Sequence, residues 1–170
     1  MNTPATYEKF PLRTVLISNL AALLIYGLGF AILIRTGLYF ALIYLLYVLL
    51  LELRLIKNHC TGCYYHGRIC GFGKGRISAW FFKKKNPAEF CNKSFTWKDM
   101  IPDILISLVP LVTGIVLLIL KFDIIVLSEM LIIVFLTTSG NGYVRGKLTC
   151  RFCKQRELGC PAAALFKMDQ

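Results

Sequence analysis

Four long apolar blocks leave this chain few ways to fold. They run from about Thr14 to Ile34, Leu38 to Ile56, Ile101 to Leu120 and Phe122 to Thr138. A helix crosses a ~30 Å hydrocarbon core with ~20 apolar residues, within a range of ~17–25. The first three blocks fit. The fourth is short, carries Ser128 and Glu129 and ends in Leu136-Thr137-Thr138, so it fits with local bilayer thinning or snorkelling at its flanks. Buried core helices of a water-soluble domain are a poor alternative. With 56% hydrophobic residues and a mean hydropathy of +0.62, too few amphipathic segments remain to cover four all-apolar helices. The first block is also not a signal sequence, whose apolar region spans ~7–15 residues before a small-residue cleavage site. Only Arg35-Thr36-Gly37 separates the first two blocks, and Lys121-Phe122-Asp123 the last two, so each pair reads as a tight hairpin. The expected fold is an all-α integral membrane protein, with four transmembrane helices arranged as two tandem hairpins.

Charge sets the expected orientation. Lys9 and Arg13 precede the first helix. The central loop holds Arg54, Lys57, Arg68, Lys74, Arg76, Lys83, Lys84, Lys85, Lys93 and Lys98, and the tail holds Arg145, Lys147, Arg151, Lys154, Arg156 and Lys167. The two hairpin turns carry only Arg35 and Lys121. By the positive-inside rule both termini and the central loop are cytoplasmic, in an inner or plasma membrane. A net charge of +11 is then concentrated on one face, where it attracts anionic headgroups; this is the preferred meaning of the charge, and nucleic-acid binding is not expected.

Six of the seven cysteines repeat one pattern. Cys60, Cys63 and Cys70 read C-x2-C-x6-C, and so do Cys150, Cys153 and Cys160, each 90 residues after its counterpart. Each copy reads helix, turn, helix, basic juncture, triad. The organisation is therefore 1–70, first hairpin plus triad; 71–100, a basic and aromatic linker; and 101–170, second hairpin plus triad. Tandem copies entering from the same side predict a bundle with a pseudo-twofold axis along the membrane normal.

In a reducing compartment such cysteines favour metal or redox chemistry over disulfides. Nearby lysines and arginines are expected to lower thiol pKa values and favour ligating thiolates. Zinc takes four ligands and each triad offers three. His59, His66 or Cys91 could complete the first, with Cys91 the best of them, but the second has no local histidine. Pooling is more economical: two zinc ions can share six thiolates through bridging sulfurs. The spacing of these six cysteines resembles the binuclear zinc cluster of fungal transcription factors, over 11 residues in each copy. That resemblance implies the shared-thiolate geometry and not DNA binding, since here a membrane hairpin separates the two halves. A [4Fe–4S] cluster is the competing cofactor.

Between the copies, Arg76 to Lys85 is expected to form a short interfacial helix, with Arg76, Trp80, Phe81, Lys83, Lys84 and Lys85 at headgroup level and Asn86-Pro87 as its stop. Thr96-Trp97-Lys98-Asp99 reads as a capping box for the third membrane helix. Glu129 is an intramembrane acid, read as an interfacial residue reaching headgroups. No hydrolase, Walker or zinc-protease motif is present. The expected function is a non-enzymatic metal–thiolate scaffold with a protein partner on its cytoplasmic face. A membrane iron–sulfur redox component is the alternative. Transport has the least support, because the helices lack a matched set of polar residues at mid-depth, where only Ser18, Asn19, Ser107 and Thr113 are available in the first and third helices.

Overall fold

A lipid-facing backbone finds no water to bond, so an apolar run that crosses a bilayer must close its hydrogen bonds within itself, as a helix does. The computed structural model describes residues 6–91 and 97–160, and the long apolar runs among them are helical. The helices are α1 (Leu12–Ile34), α2 (Leu38–Leu55), α3 (Lys74–Phe81), α4 (Pro87–Cys91), α5 (Trp97–Leu120), α6 (Ile124–Phe135), α7 (Asn141–Tyr143) and α8 (Lys154–Glu157). Among the described residues four stretches are long and apolar enough to cross a membrane: Leu12–Ile34, Leu38–Cys60, Asp99–Leu120 and Ile124–Phe152. Most of their large apolar side chains, Leu20, Leu42, Ile115 and Leu131 among them, are exposed on the chain. In water that surface would drive aggregation; in lipid it needs no partner.

The fourth stretch is 29 residues long, well beyond the expected end at Thr138. The reason is local. The hydroxyls of Thr137 and Thr138 donate back to the carbonyls of Ile133 and Val134 at 2.8 and 2.7 Å, so neither residue interrupts the helix. The chain continues through π-helical turns at Leu136–Gly140 and Val144–Thr149 and a 3-10 turn at Cys150–Phe152. A π-helical turn, Ile56–Cys60, also ends the second stretch. Each triad is thus entered from a π-helical turn, a wider coil that recurs at functional sites.

The interfacial helix is displaced from its expected limits. It begins at Lys74, and Phe82 turns extended (φ −136°) while its N–H closes on the Ser78 carbonyl, which leaves Lys83–Lys85 beyond the helix. The capping box at Thr96 lies outside the described residues.

The chain divides into two compact units. One comprises Leu20–Glu52 and Trp97–Gly142. Inside it Leu33 of α1, Ala41, Tyr44, Val48 and Leu51 of α2, and Ile106 of α5 form a buried apolar cluster. Pro110 has no N–H, so the Ile106 carbonyl one turn earlier loses its helical partner; the Tyr44 hydroxyl donates to that carbonyl at 3.0 Å. Gly37, with φ +146°, supplies the turn after α1 that an L side chain would resist. In the second turn Asp123 caps α6 by accepting from Ile125 N–H at 2.8 Å. Arg35 pairs with Asp123 at 2.6 Å and with Glu129 at 3.5 Å. Glu129 was expected to stand alone among lipid headgroups; it has a cation beside it, and its side chain is only 13% exposed. Its other oxygen is buried without a hydrogen-bond partner among the described residues.

The other unit collects the segment before α1 with the first turns of that helix, residues 53–96 and residues 143–170. It contains all seven cysteines and, among the described residues, every lysine and arginine except Arg35, Lys98 and Lys121.

Candidate thiol site

Two loops carry the triads, and they fold alike. Cys63 N–H donates to the Cys60 carbonyl at 3.4 Å, and His66 N–H to the Cys63 carbonyl at 3.1 Å. The second loop repeats both bonds: Cys153 to Cys150 at 3.2 Å and Arg156 to Cys153 at 3.1 Å. These successive turns bend the backbone around the middle cysteine of each loop and aim an N–H at its sulfur, from Tyr65 to Cys63 and from Gln155 to Cys153. Cys70 Sγ receives Gly75 N–H at 3.4 Å.

The loops are cross-linked by exchanged hydrogen bonds. Tyr64 N–H donates to Gln155 Oε1 at 2.6 Å, and Lys154 N–H donates to the Tyr65 hydroxyl at 3.0 Å. Tyr64 and Lys154 are 90 residues apart, as are Tyr65 and Gln155, so each loop uses the same position to receive the side chain of the other. Tyr65 and Gln155 are 1% and 2% exposed, which makes these bonds costly to lose. The Tyr65 hydroxyl in turn donates to the Tyr7 carbonyl.

The segment before α1 lies across both loops. Tyr7 N–H donates to the Phe152 carbonyl at 2.9 Å and Phe10 N–H to the Ile69 carbonyl at 3.0 Å. Glu8 pairs with Lys154 at 3.2 Å. The Tyr7, Phe10, Tyr65 and Phe152 rings meet at centroid distances of 5.1–5.5 Å.

All six repeated cysteines are free thiols, half-buried. Burial pushes the Cys63 thiol up to about 12, and the nearby Cys70, Cys60 and Cys160 add to the rise. Burial likewise pushes Cys153 up to about 12, with Cys63, Cys160 and Cys150 adding to it. The expected lowering by lysine and arginine is therefore overturned at both middle cysteines. Their sulfurs are desolvated and face other sulfurs, while Lys154 and Arg68 turn to the Tyr64 ring at 5.3 and 4.7 Å. The first and second triads are thus electrostatic neighbours through Cys63, Cys153 and Cys160. Among the described residues, no three His, Cys, Asp or Glu side chains converge closely enough to hold a metal ion as they stand.

The extra ligand candidates fall elsewhere. His66 Nε2 lies 3.0 Å from the Phe82 carbonyl, and the His59 ring stands edge-on to Phe90 at 6.5 Å. Cys91 was considered as a fourth ligand for the first triad, but it lies against the second. Its thiol donates to the Leu158 carbonyl at 3.1 Å, and Gln155 Nε2 lies 3.7 Å from its sulfur. Phe90, the preceding residue of α4, packs on Gly62 of the first loop, which leaves Cys91 facing Leu158 and Gly159. Tyr65, Gln155 and the Tyr7–Phe10 strap were missed by the sequence reading. The matching registers of Tyr65 and Gln155 were the available signal.

No protein-family model matches the chain, and neither a curated protein nor a solved structure is similar to it.

Proposed function

We propose that the chain is a membrane-embedded metal–thiolate protein in which the two triads form one shared site, on the cytoplasmic side of two tandem hairpins related by a pseudo-twofold axis. The observation that carries this reading is the electrostatic coupling of Cys63 and Cys153, which between them feel the other four cysteines of the two triads, with a backbone N–H aimed at each of these two sulfurs. Thiols pushed up to about 12 do not ionise alone near neutral pH. A divalent cation reverses that balance, because its charge replaces the proton on sulfur. The N–H groups of Tyr65, Gln155 and Gly75 are placed to stabilise the thiolate charge that remains. Six sulfurs suit two zinc ions with two bridging thiolates, each ion reaching the four ligands zinc prefers. Metal binding requires the sulfurs to draw together from where they stand, and the strap from Tyr7 to Phe10 touches both loops that would move.

The site has three kinds of component: thiols, backbone donors and buried tyrosine and glutamine. This composition serves structural metal binding rather than catalysis. The function that follows is a scaffold whose metal clamps the two loops and builds a docking surface for a cytoplasmic protein.

Elemental analysis with an absorption spectrum on anaerobically purified protein tests this. Two zinc ions per chain and no visible colour support it, and stoichiometric iron with a brown, air-sensitive absorption replaces zinc by an iron–sulfur cluster on the same cysteines. Absence of any stoichiometric metal overturns the reading. Cys150→Ser should release all of the metal; retention of half of it would assign separate sites.

A further inference from the structure

The first loop holds α3 tightly, and α3 turns a different face outward. Gly75 packs so close that a Cβ there would overlap the carbonyls of Tyr65 and Arg68. Its carbonyl accepts Gly67 N–H at 2.9 Å, and Ser78 is wholly buried. On the outward face Trp80 and Phe81 are 71% and 69% exposed, with Ile77 beside them at 38%. Arg76 on the helix and Lys83, Lys84 and Lys85 just past its end are exposed as well. Two large rings are thus displayed to the surroundings next to four cations.

The depth of this face follows from one hydrogen bond. Lys85 N–H donates to the Thr61 carbonyl at 3.0 Å. Thr61 directly follows the candidate span Leu38–Cys60. A helix rises ~1.5 Å per residue, so a ~30 Å hydrocarbon core entered at Leu38 is left near Lys57. Thr61 then lies roughly 6 Å further on, inside the headgroup layer. The lysine run is pinned at that level.

We propose that α3 and the Lys83–Lys85 run form a binding element for anionic lipid headgroups. Trp80 and Phe81 enter the interface while Arg76 and the lysines contact headgroup phosphates. Charge complementarity selects the occupant: the exposed cations sit where a bilayer presents its anions, and the rings beside them are amphipathic or apolar enough to enter its boundary. This element does not depend on whether the thiols hold metal.

The test uses the full chain in lipid nanodiscs, either of phosphatidylcholine alone or with added phosphatidylglycerol. Subtracting the emission of Trp80→Phe isolates Trp80, since Trp97 is the only other tryptophan. Trp80 should be blue-shifted and shielded from aqueous acrylamide in the anionic discs, and less so in the neutral ones. Each juxtamembrane lysine contributes a factor of about five to partitioning onto an anionic surface, so Lys83→Gln/Lys84→Gln/Lys85→Gln should weaken the engaged state about a hundredfold and expose Trp80 in both discs. Equal quenching of wild-type Trp80 in the two discs would overturn the proposal. So would shielding that appears only when a soluble polyglutamate is added, which would assign the face to an acidic protein.

Discussion

Single side chains decide whether the two loops hold together. The Tyr65 hydroxyl accepts from Lys154 N–H and donates to the Tyr7 carbonyl, joining the two loops and the strap. Tyr65→Phe leaves a backbone donor and a carbonyl without partners and should cost about 1–3 kcal/mol per orphaned buried group; chemical unfolding would measure it. Alkylation of Cys153 should also speed up, as its loop loosens. The thiols give a pH prediction. Cys63 and Cys153 rise from an ordinary 9.0 to about 12, so the folded, metal-free chain holds more protons than the unfolded one between those values. Stability of the metal-free protein should therefore be fully present below pH 9 and fall as pH rises toward 12. A metal-loaded protein should show the opposite trend, losing stability in acid as protons compete for sulfur. The six cysteines were legible in the sequence because their spacing repeats. Their protonation was not, since it depends on desolvation that only the packed loops create.

At the scale of elements, apolar length made the four long helices readable, and the errors lie at their ends. The fourth helix runs past Thr138 because threonine hydroxyls find partners on their own helix, which composition does not reveal. The link between Tyr44 and Ile106 was equally hidden, although Pro110 announces that some carbonyl a turn earlier needs a donor. This pairing predicts a specific coupling. Tyr44→Phe should destabilise the protein by about 1 kcal/mol, within the range seen for hydrogen bonds between membrane helices. In a Pro110→Ala background, where the helix supplies its own N–H, the same change should cost much less. A double-mutant cycle on reversible unfolding in detergent measures the difference, and equal costs in both backgrounds would show that the hydroxyl has no such role.

For the whole molecule, the ion pairs of Arg35 join the turn after α1 to the turn before α6 and to Glu129 beyond it. Arg35→Ala should lower thermal stability by leaving the half-buried Glu129 without its cation, and adding Glu129→Gln should restore most of the loss. The sequence placed Arg35 and Asp123 in separate turns but gave no means of pairing them, because contacts 88 residues apart are set by packing. The exchanged bonds between the loops carry a consequence of a different kind. Neither loop completes its own backbone, since Tyr64 depends on Gln155 and Lys154 on Tyr65. Both exchanged bonds join a residue before position 94 to one after it. Fragments 1–94 and 95–170 expressed together should therefore copurify, whereas each expressed by itself should be cleared by cellular proteases.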